Sequence, residues 1–319
     1  MRYVLVVIAS LLILMLVTIA VSPHASAGGL SSPKPNVIVI MTDDQAASSI
    51  AYMPKVKALL ADKGVTFANS FAQFTQCCPS RATWMSGQFA HNHHVLGNTV
   101  LWNGAYPAWK PQESNALQVW LQNAGYTTGF LGKVMNGYGD ETYHVPPGWN
   151  WYRAMKTTGY YNWSIYKADG TIGTFGTGVT DYSTDNMLWR SQSFVTTKAE
   201  PFLHFAWLFA PHIDGSGTAT PAPRHLGMFA TEPMPKSPAF NSTHTTGKHP
   251  IVQSFPVMDA TQIAATENMW RKHIEALQAV DEYVEQLIAS LTTSGRLENT
   301  YIIYTSDNGM LFGDWKRNG

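Results

Sequence analysis

Short apolar runs rich in β-branched residues alternate along this chain with stretches of helical spacing, and that alternation restricts the fold more than any other feature. Val37 to Met41 reads as a buried strand. Met53 to Asp62 reads as a helix stopped by Gly64, and Val65 to Phe71 as a second strand. Ser114 to Ala124 has helical spacing, with Leu117, Trp120 and Leu121 on one face and Gly125 as its stop. Tyr126 to Leu131 and Phe202 to Phe209 are further apolar strands. Glu267 to Leu291 carries one stripe of Trp270, Ile274, Leu277, Val280, Val284, Leu287 and Leu291, closed by Gly295, and Tyr301 to Thr305 is the last strand. Strands and helices in this order make an α/β fold, a mostly parallel sheet covered on both faces. The Gly-, Tyr- and Trp-rich stretch 142–180 and the Pro-, Thr- and His-rich stretch 211–256 read as long loops that shape access to a site.

The polar residues that stand out follow strands. Asp43 and Asp44 come after the first, Cys77 to Arg81 beyond the second, Gly132 and Lys133 after Leu131, His212 after Phe209, and Asp307 and Asn308 after the last. In open α/β sheets ligands bind outside the carboxyl ends of the strands, so these distant segments are expected to converge at one edge. Asp43, Asp44, Asp307 and Asn308 are oxygen donors, which suits Ca²⁺ or Mg²⁺. Taken singly, an Asp-Asp pair also serves as a helix cap, and Asp-Asn-Gly is an ordinary turn. Pro79 and Ser80 favour the start of a helix through Met85, whose free N–H groups and positive dipole end suit a tetrahedral anion. Arg81 adds a permanently charged donor fork beside Cys77. A nucleophile, an anion cradle and a hard cation together describe hydrolysis of an anionic ester.

Composition excludes several classes. The 21 basic and 21 acidic residues cancel, so nothing points to nucleic acid or to an anionic membrane as a partner. Arg2, an apolar run from Tyr3 to Val21 and the small-x-small segment Ala25-Ser26-Ala27 read as a secretory signal over 1–27; the run also has the length of an uncleaved anchor, in which case the chain meets a membrane. An exported chain usually spends cysteines on disulfides, but the two here are adjacent, and a bridge between neighbours is strained. They are either small buried hydrophobes or chemically active. The 11 Trp suit core packing or stacking on sugar rings.

The run CCPSRATWMSG, from Cys77 to Gly87, resembles the sulfatase signature, and GYTTGFLGK, from Gly125 to Lys133, is similar to the second signature of that family. NVIVIMTDDQ and YTSDNG resemble its two metal-ligand segments. HNHHV, GKVMNGYG, HVPPGW and YYNWS resemble the N-acetylglucosamine-6-sulfatase group. The similarity implies an alkaline-phosphatase-like sandwich, with a sulfatase catalytic domain over 36–319. It implies that Cys77 is oxidised to formylglycine (3-oxoalanine) by a formylglycine-generating enzyme. One hydroxyl of the hydrated aldehyde attacks sulfur and the second expels sulfate. The metal, Ca²⁺ with Mg²⁺ as the alternative, falls to Asp43, Asp44, Cys77, Asp307 and Asn308. Arg81 supports the diol and the metal-site charges, Lys133 holds sulfate oxygens, and His212 contacts sulfate or protonates the leaving alcohol.

The implied substrate is a sulfated sugar, the 6-O-sulfate of N-acetylglucosamine in glycosaminoglycans, met in a secreted, periplasmic or lysosomal setting. His91, His93 and His94 either approach the sugar or are structural, and Asn136 stands where many sulfatases bring a histidine. Asn162-Trp163-Ser164 and Asn241-Ser242-Thr243 are glycosylation sequons. Family members continue beyond the last metal segment with another Lys, more strands and a smaller C-terminal domain; that comparison reads this sequence as truncated, with poor stability or weak activity expected. A phosphate or phosphonate ester hydrolase of the same superfamily and an inactive sugar-binding product are the competing readings.

Overall fold

The computed structural model describes residues 33–318 apart from Glu141 and Ala168, so the signal or anchor read over 1–27 lies outside the described residues. Among the described residues, no helix is long and apolar enough to cross a membrane. Strand β1 is Asn36–Thr42, followed by helix α1 (Cys77–Ser86) and α2 (Leu117–Asn123). Then come β2 (Thr127–Gly132), β3 (Trp151–Thr157), β4 (Ser164–Tyr166) and β5 (Ile172–Thr174). Helix α3 (Ser183–Thr197), β6 (Phe202–Trp207), α4 (Ala260–Thr293) and β7 (Thr300–Ser306) complete the set used below.

One sheet runs in the order β5-β4-β3-β2-β6-β1-β7. From β3 to β7 every pairing is parallel, while β4 and β5 join antiparallel at one end. The central strands are apolar throughout because both their faces are covered. In β1, Ile38 and Ile40 point to one side, where α3 and α4 pack with Leu277, Val280, Val284 and Leu287; Val39 and Met41 point to the other, with Cys78, Ala82 and Met85 of α1 and Phe130, Phe205 and Trp207. Each fully buried Leu or Val in such a stripe stabilises the fold by about 1.5–3 kcal/mol relative to exposure. Helix α4 starts seven residues before the expected Glu267 because Asp259 and Gln262 form a capping box, with Gln262 N donating to Asp259 Oδ1 at 2.8 Å.

Three expectations change. Residues 65–71 are not a strand: they form no ladder, and Val65, Phe67 and Phe71 are each 78% exposed. The apolar alternation is present, but among the described residues no strand pairs with it. The stretch 142–180 is not simply loop, since β3, β4 and β5 lie within it. The run of β3 mixes aromatics with bases, and the bases cover rings: Arg153 lies over Trp151 at 5.3 Å and Lys156 over Tyr166 of β4 at 6.0 Å. Between Pro54 and Ala61 the chain is helical as expected, but most of it is a wide π-type turn, and Asp281 of α4 accepts from Lys55 N and Val56 N at its start.

Candidate active site

The carboxyl ends of β1, β2, β6 and β7 deliver their polar residues to one place, beside the start of α1. Asp43 follows β1 and is fully buried; its N–H donates to Ala210 O at 3.2 Å, which ties the β1 end to the β6 end. Asp44 takes a left-handed φ of 62° and its N–H donates to Asp307 Oδ1 at 3.1 Å, which ties it to the β7 end. Gly132 closes β2 with φ 118°, and a Cβ there would sit 1.8 Å from Trp207 O, so glycine alone lets the β2 and β6 ends approach closely enough to aim Lys133 inward.

The atoms that meet are specific. Cys77 Sγ lies 3.4 Å from Asp43 Oδ1, 3.9 Å from Asp44 Oδ1, 3.7 Å from Lys133 Nζ and 3.8 Å from Asn308 Nδ2. His212 Nε2 lies 3.4 Å from Asp44 Oδ2. One ligand atom each from Asp43, Asp44, Cys77 and His212 falls within 4.8 Å of all the others. Every residue proposed for catalysis or metal binding is therefore in this cluster or in direct contact with it. Asn308 is held by its own N–H on Asp307 Oδ1 at 2.8 Å.

Charge here is arranged around a deficit. Burial alone would raise the Asp43 carboxyl, but Lys133 and Arg81 outweigh it and hold Asp43 well below the usual carboxylate range. Burial, then the Asp43 charge, pushes Asp44 up, and the same two causes push Asp307 up to about 6. Three crowded carboxylates share two permanent cations, an oxygen-rich donor set that fits a hard divalent ion. The Cys77 thiol is pushed far up by burial and then by Asp43, which leaves it a poor thiolate nucleophile as it stands.

Two features of the nucleophile loop differ from expectation. The start of α1 is not an open anion cradle: Cys78 N donates to Asn98 Oδ1 at 2.9 Å and Ser80 N to Gln76 O at 3.1 Å, while Pro79 has no N–H. Nor does Arg81 reach outward. It is fully buried, with Nε and Nη2 both 2.9 Å from Asp307 Oδ2, Nη1 on Lys133 O, and its guanidinium 5.3 Å from the Trp207 ring centre. Its fork braces the carboxylates, and Lys133 and His212 are the other basic side chains at the cluster, the first beside Asp43 and the Cys77 sulfur and the second beside Asp44. The Tyr160 hydroxyl donates to His212 O at 2.8 Å, and the His212 ring lies 5.0 Å from the Phe209 ring centre.

The sulfatase family model matches residues 35–317. This chain belongs to the sulfatase family. It is 36% identical over 295 residues to human N-acetylglucosamine-6-sulfatase, across 88% of this chain and 52% of that protein. A goat N-acetylglucosamine-6-sulfatase is 35% identical over 303 residues, covering 91% of this chain and 53% of the relative. The chain thus spans about half the length of these curated relatives. In fold it resembles BT4656, solved with its substrate D-glucosamine-2-N,6-O-disulfate, at TM-score 0.70 and 21% identity, covering 90% of this chain and 68% of that one. A phosphonate monoester hydrolase of Agrobacterium radiobacter shares the fold at TM-score 0.63 and 19% identity, covering 90% and 65%.

Within this sulfatase-family site the histidine run separates. His93 is buried and structural, its Nδ1 accepting from Val95 N and its Nε2 3.0 Å from Thr83 Oγ1 of α1. His91 and His94 are exposed, and His91 stacks on Phe89. Asn136 N donates to Cys78 Sγ at 3.3 Å, so its backbone packs under the nucleophile loop. Asn98 was not anticipated: no local pattern marks a loop amide twenty residues from the cysteine it caps. Of the sequons, Asn241 has both ends of its amide committed to Met258 backbone, at 3.0 and 2.8 Å.

Proposed function

We propose that this chain carries the catalytic centre of a sulfate ester hydrolase acting on 6-O-sulfated N-acetylglucosamine units of glycosaminoglycans. The observation that carries the reading is the meeting of Asp43, Asp44, Cys77 and His212 ligand atoms within 4.8 Å. Lys133 spans Asp43 and the Cys77 sulfur beside them. A Ca²⁺ or Mg²⁺ ion on Asp43, Asp44, residue 77, Asp307 and Asn308 would neutralise the crowded carboxylates, and a formylglycine at position 77 would supply a hydroxyl nucleophile in place of the suppressed thiol.

The chain's own residues do the rest. Lys133 presents an ammonium to the sulfate oxygens, where negative charge grows as the ester bond breaks. His212 Nδ1 donates to Ile213 O, which turns Nε2 toward Asp44 and the cluster, from where it would give a proton to the departing sugar alcohol. Arg81 keeps Asp43 and Asp307 in place, and Tyr160 fixes the His212 backbone. Maturation requires a formylglycine-generating enzyme as a partner, and an oxidising or extracytoplasmic compartment fits the signal read over 1–27.

Turnover of nitrophenyl sulfate against nitrophenyl phosphate and phosphonate, in protein matured with that enzyme, tests the reading. The sulfate is expected to be preferred, and Lys133→Met to lower kcat about 10²–10³-fold. A preference for phosphonate would overturn it.

A further inference from the structure

The loop 96–105 is built more firmly than a surface loop requires, and it holds a large ring out in water. Leu96 N donates to Asn103 O and Ala105 N to Gly97 O, both at 2.9 Å, and Asn103 Nδ2 donates to His94 O at 2.7 Å. A Cβ on Gly104 would lie 2.1 Å from Gly97 O, so the two legs touch backbone to backbone. On this braced frame a single tight turn, Val100–Trp102, leaves Leu101 88% and Trp102 73% exposed. Large apolar groups gathered in solvent on a rigid support mark contact surfaces.

The loop is also fastened to the nucleophile. Asn98 Oδ1 accepts from Cys78 N at 2.9 Å. A Cβ on Gly97 would lie 3.1 Å from the Trp102 Cβ and 3.6 Å from Gln76 Oε1, so Gly97 is packed against both the root of Trp102 and the residue that precedes Cys77. The loop that carries Trp102 is therefore fastened to residues 76 and 78, on either side of Cys77.

We propose that Trp102, with Leu101 beside it, is the platform for the saccharide unit next to the sulfated one, and so sets the preference for chain substrates over single sugars. This rests on the sulfated-sugar reading above. One face of a pyranose presents C–H groups that pack on an indole plane while its hydroxyls stay in water. Binding energy gathered on that remote ring is available to orient the ester at the reacting centre. Trp102 is a specificity-determining residue under this proposal and touches none of the reacting atoms.

The test uses the full chain, matured to formylglycine, with 6-O-sulfated N-acetylglucosamine as a monosaccharide and within a glycosaminoglycan disaccharide. Trp102→Ala is expected to lower the disaccharide-to-monosaccharide ratio of kcat/KM about tenfold, and Trp102→Phe to keep most of it. A ratio unchanged in Trp102→Ala overturns the platform. Calorimetry on Cys77→Ala protein gives a readout free of turnover: adding Trp102→Ala is expected to raise the disaccharide Kd about tenfold. If the wild-type chain hydrolyses nitrophenyl sulfate but neither binds nor hydrolyses the disaccharide, the platform fails and sulfate ester hydrolysis stands. If the disaccharide binds through Trp102 while no sulfate ester is turned over, the platform stands and the hydrolase reading fails.

Discussion

Residues 65–71 and α1, Cys77–Ser86, lie six residues apart and meet opposite fates. The first holds Val65, Phe67 and Phe71 in solvent at 78% exposure each, and β7, the last strand of the sheet, also shows Tyr301 at 65% and Ile303 at 40%. The second buries Cys77, Cys78, Pro79, Ser80, Arg81, Ala82, Met85 and Ser86. The difference is in partners. The α1 residues are claimed by groups from β1, β2 and β7, including Ser80 Oγ donating to Asp307 O and the Arg81 fork on Asp43 and Asp307. The 65–71 side chains alternate as a strand should, but an apolar pattern becomes a strand only against a neighbour's open edge. The cluster around Cys77 is thus braced from within by the described residues, with Asp307 at the end of β7 holding Asp44 N, Ser80 and Arg81.

Mutations separate the two regions sharply. The largest effect is expected at Arg81→Met, which strands Asp43 and Asp307 without their guanidinium: a loss of about 3–5 kcal/mol in denaturant unfolding, with activity abolished. A loss no larger than that of a surface change would mean the carboxylates are not held by Arg81. Next is the cation. Added Ca²⁺ at a hundredfold excess over its Kd is expected to stabilise chelator-treated protein by about 2.7 kcal/mol in a thermal melt, and Asp43→Asn is expected to lose most of that gain. Equal stabilisation of both proteins would place the ion elsewhere. Asn98→Ala leaves the Cys78 N–H unpartnered and is expected to cost about 1–3 kcal/mol, read from the unfolding midpoint. The smallest change is Phe67→Ser, within about 0.5 kcal/mol in stability but with less self-association by light scattering; a large destabilisation would show that 65–71 is packed in solution.

Much of this was legible in the residues alone. The runs at β1, β2 and β6 are continuous because these parallel strands are buried on both faces, and the α4 stripe is long enough for its period to be unmistakable. Strands β3 to β5 were not: aromatic and basic residues interrupt the alternation of β3 and are reconciled only by the rings and bases packing together, while β4 and β5 are three residues each, too short to show a period. Asp43, Asp44, Lys133, His212, Asp307 and Asn308 were visible because each follows a strand and strand ends converge, whereas Cys77 and Arg81 follow 65–71, which is not a strand, and were visible only from their own run Cys77 to Arg81. How they are used was less visible. From its charge alone Arg81 looked like an anion donor, while the resemblance gave it the diol and the metal-site charges; its fork lies on carboxylates that arrive from β1 and β7, a contact spanning 226 residues to Asp307. Asn98 carries no signature, since its function arises only when its loop folds back on α1.

Tryptic mass spectrometry across Cys77, on protein produced together with a formylglycine-generating enzyme, bears most directly on how this cluster acts. The peptide is expected to lack the thiol mass, to carry an aldehyde that reacts with a hydrazide probe, and to gain that change in step with turnover of nitrophenyl sulfate. A protein that cleaves sulfate esters while its residue 77 is still an alkylatable cysteine would contradict the account.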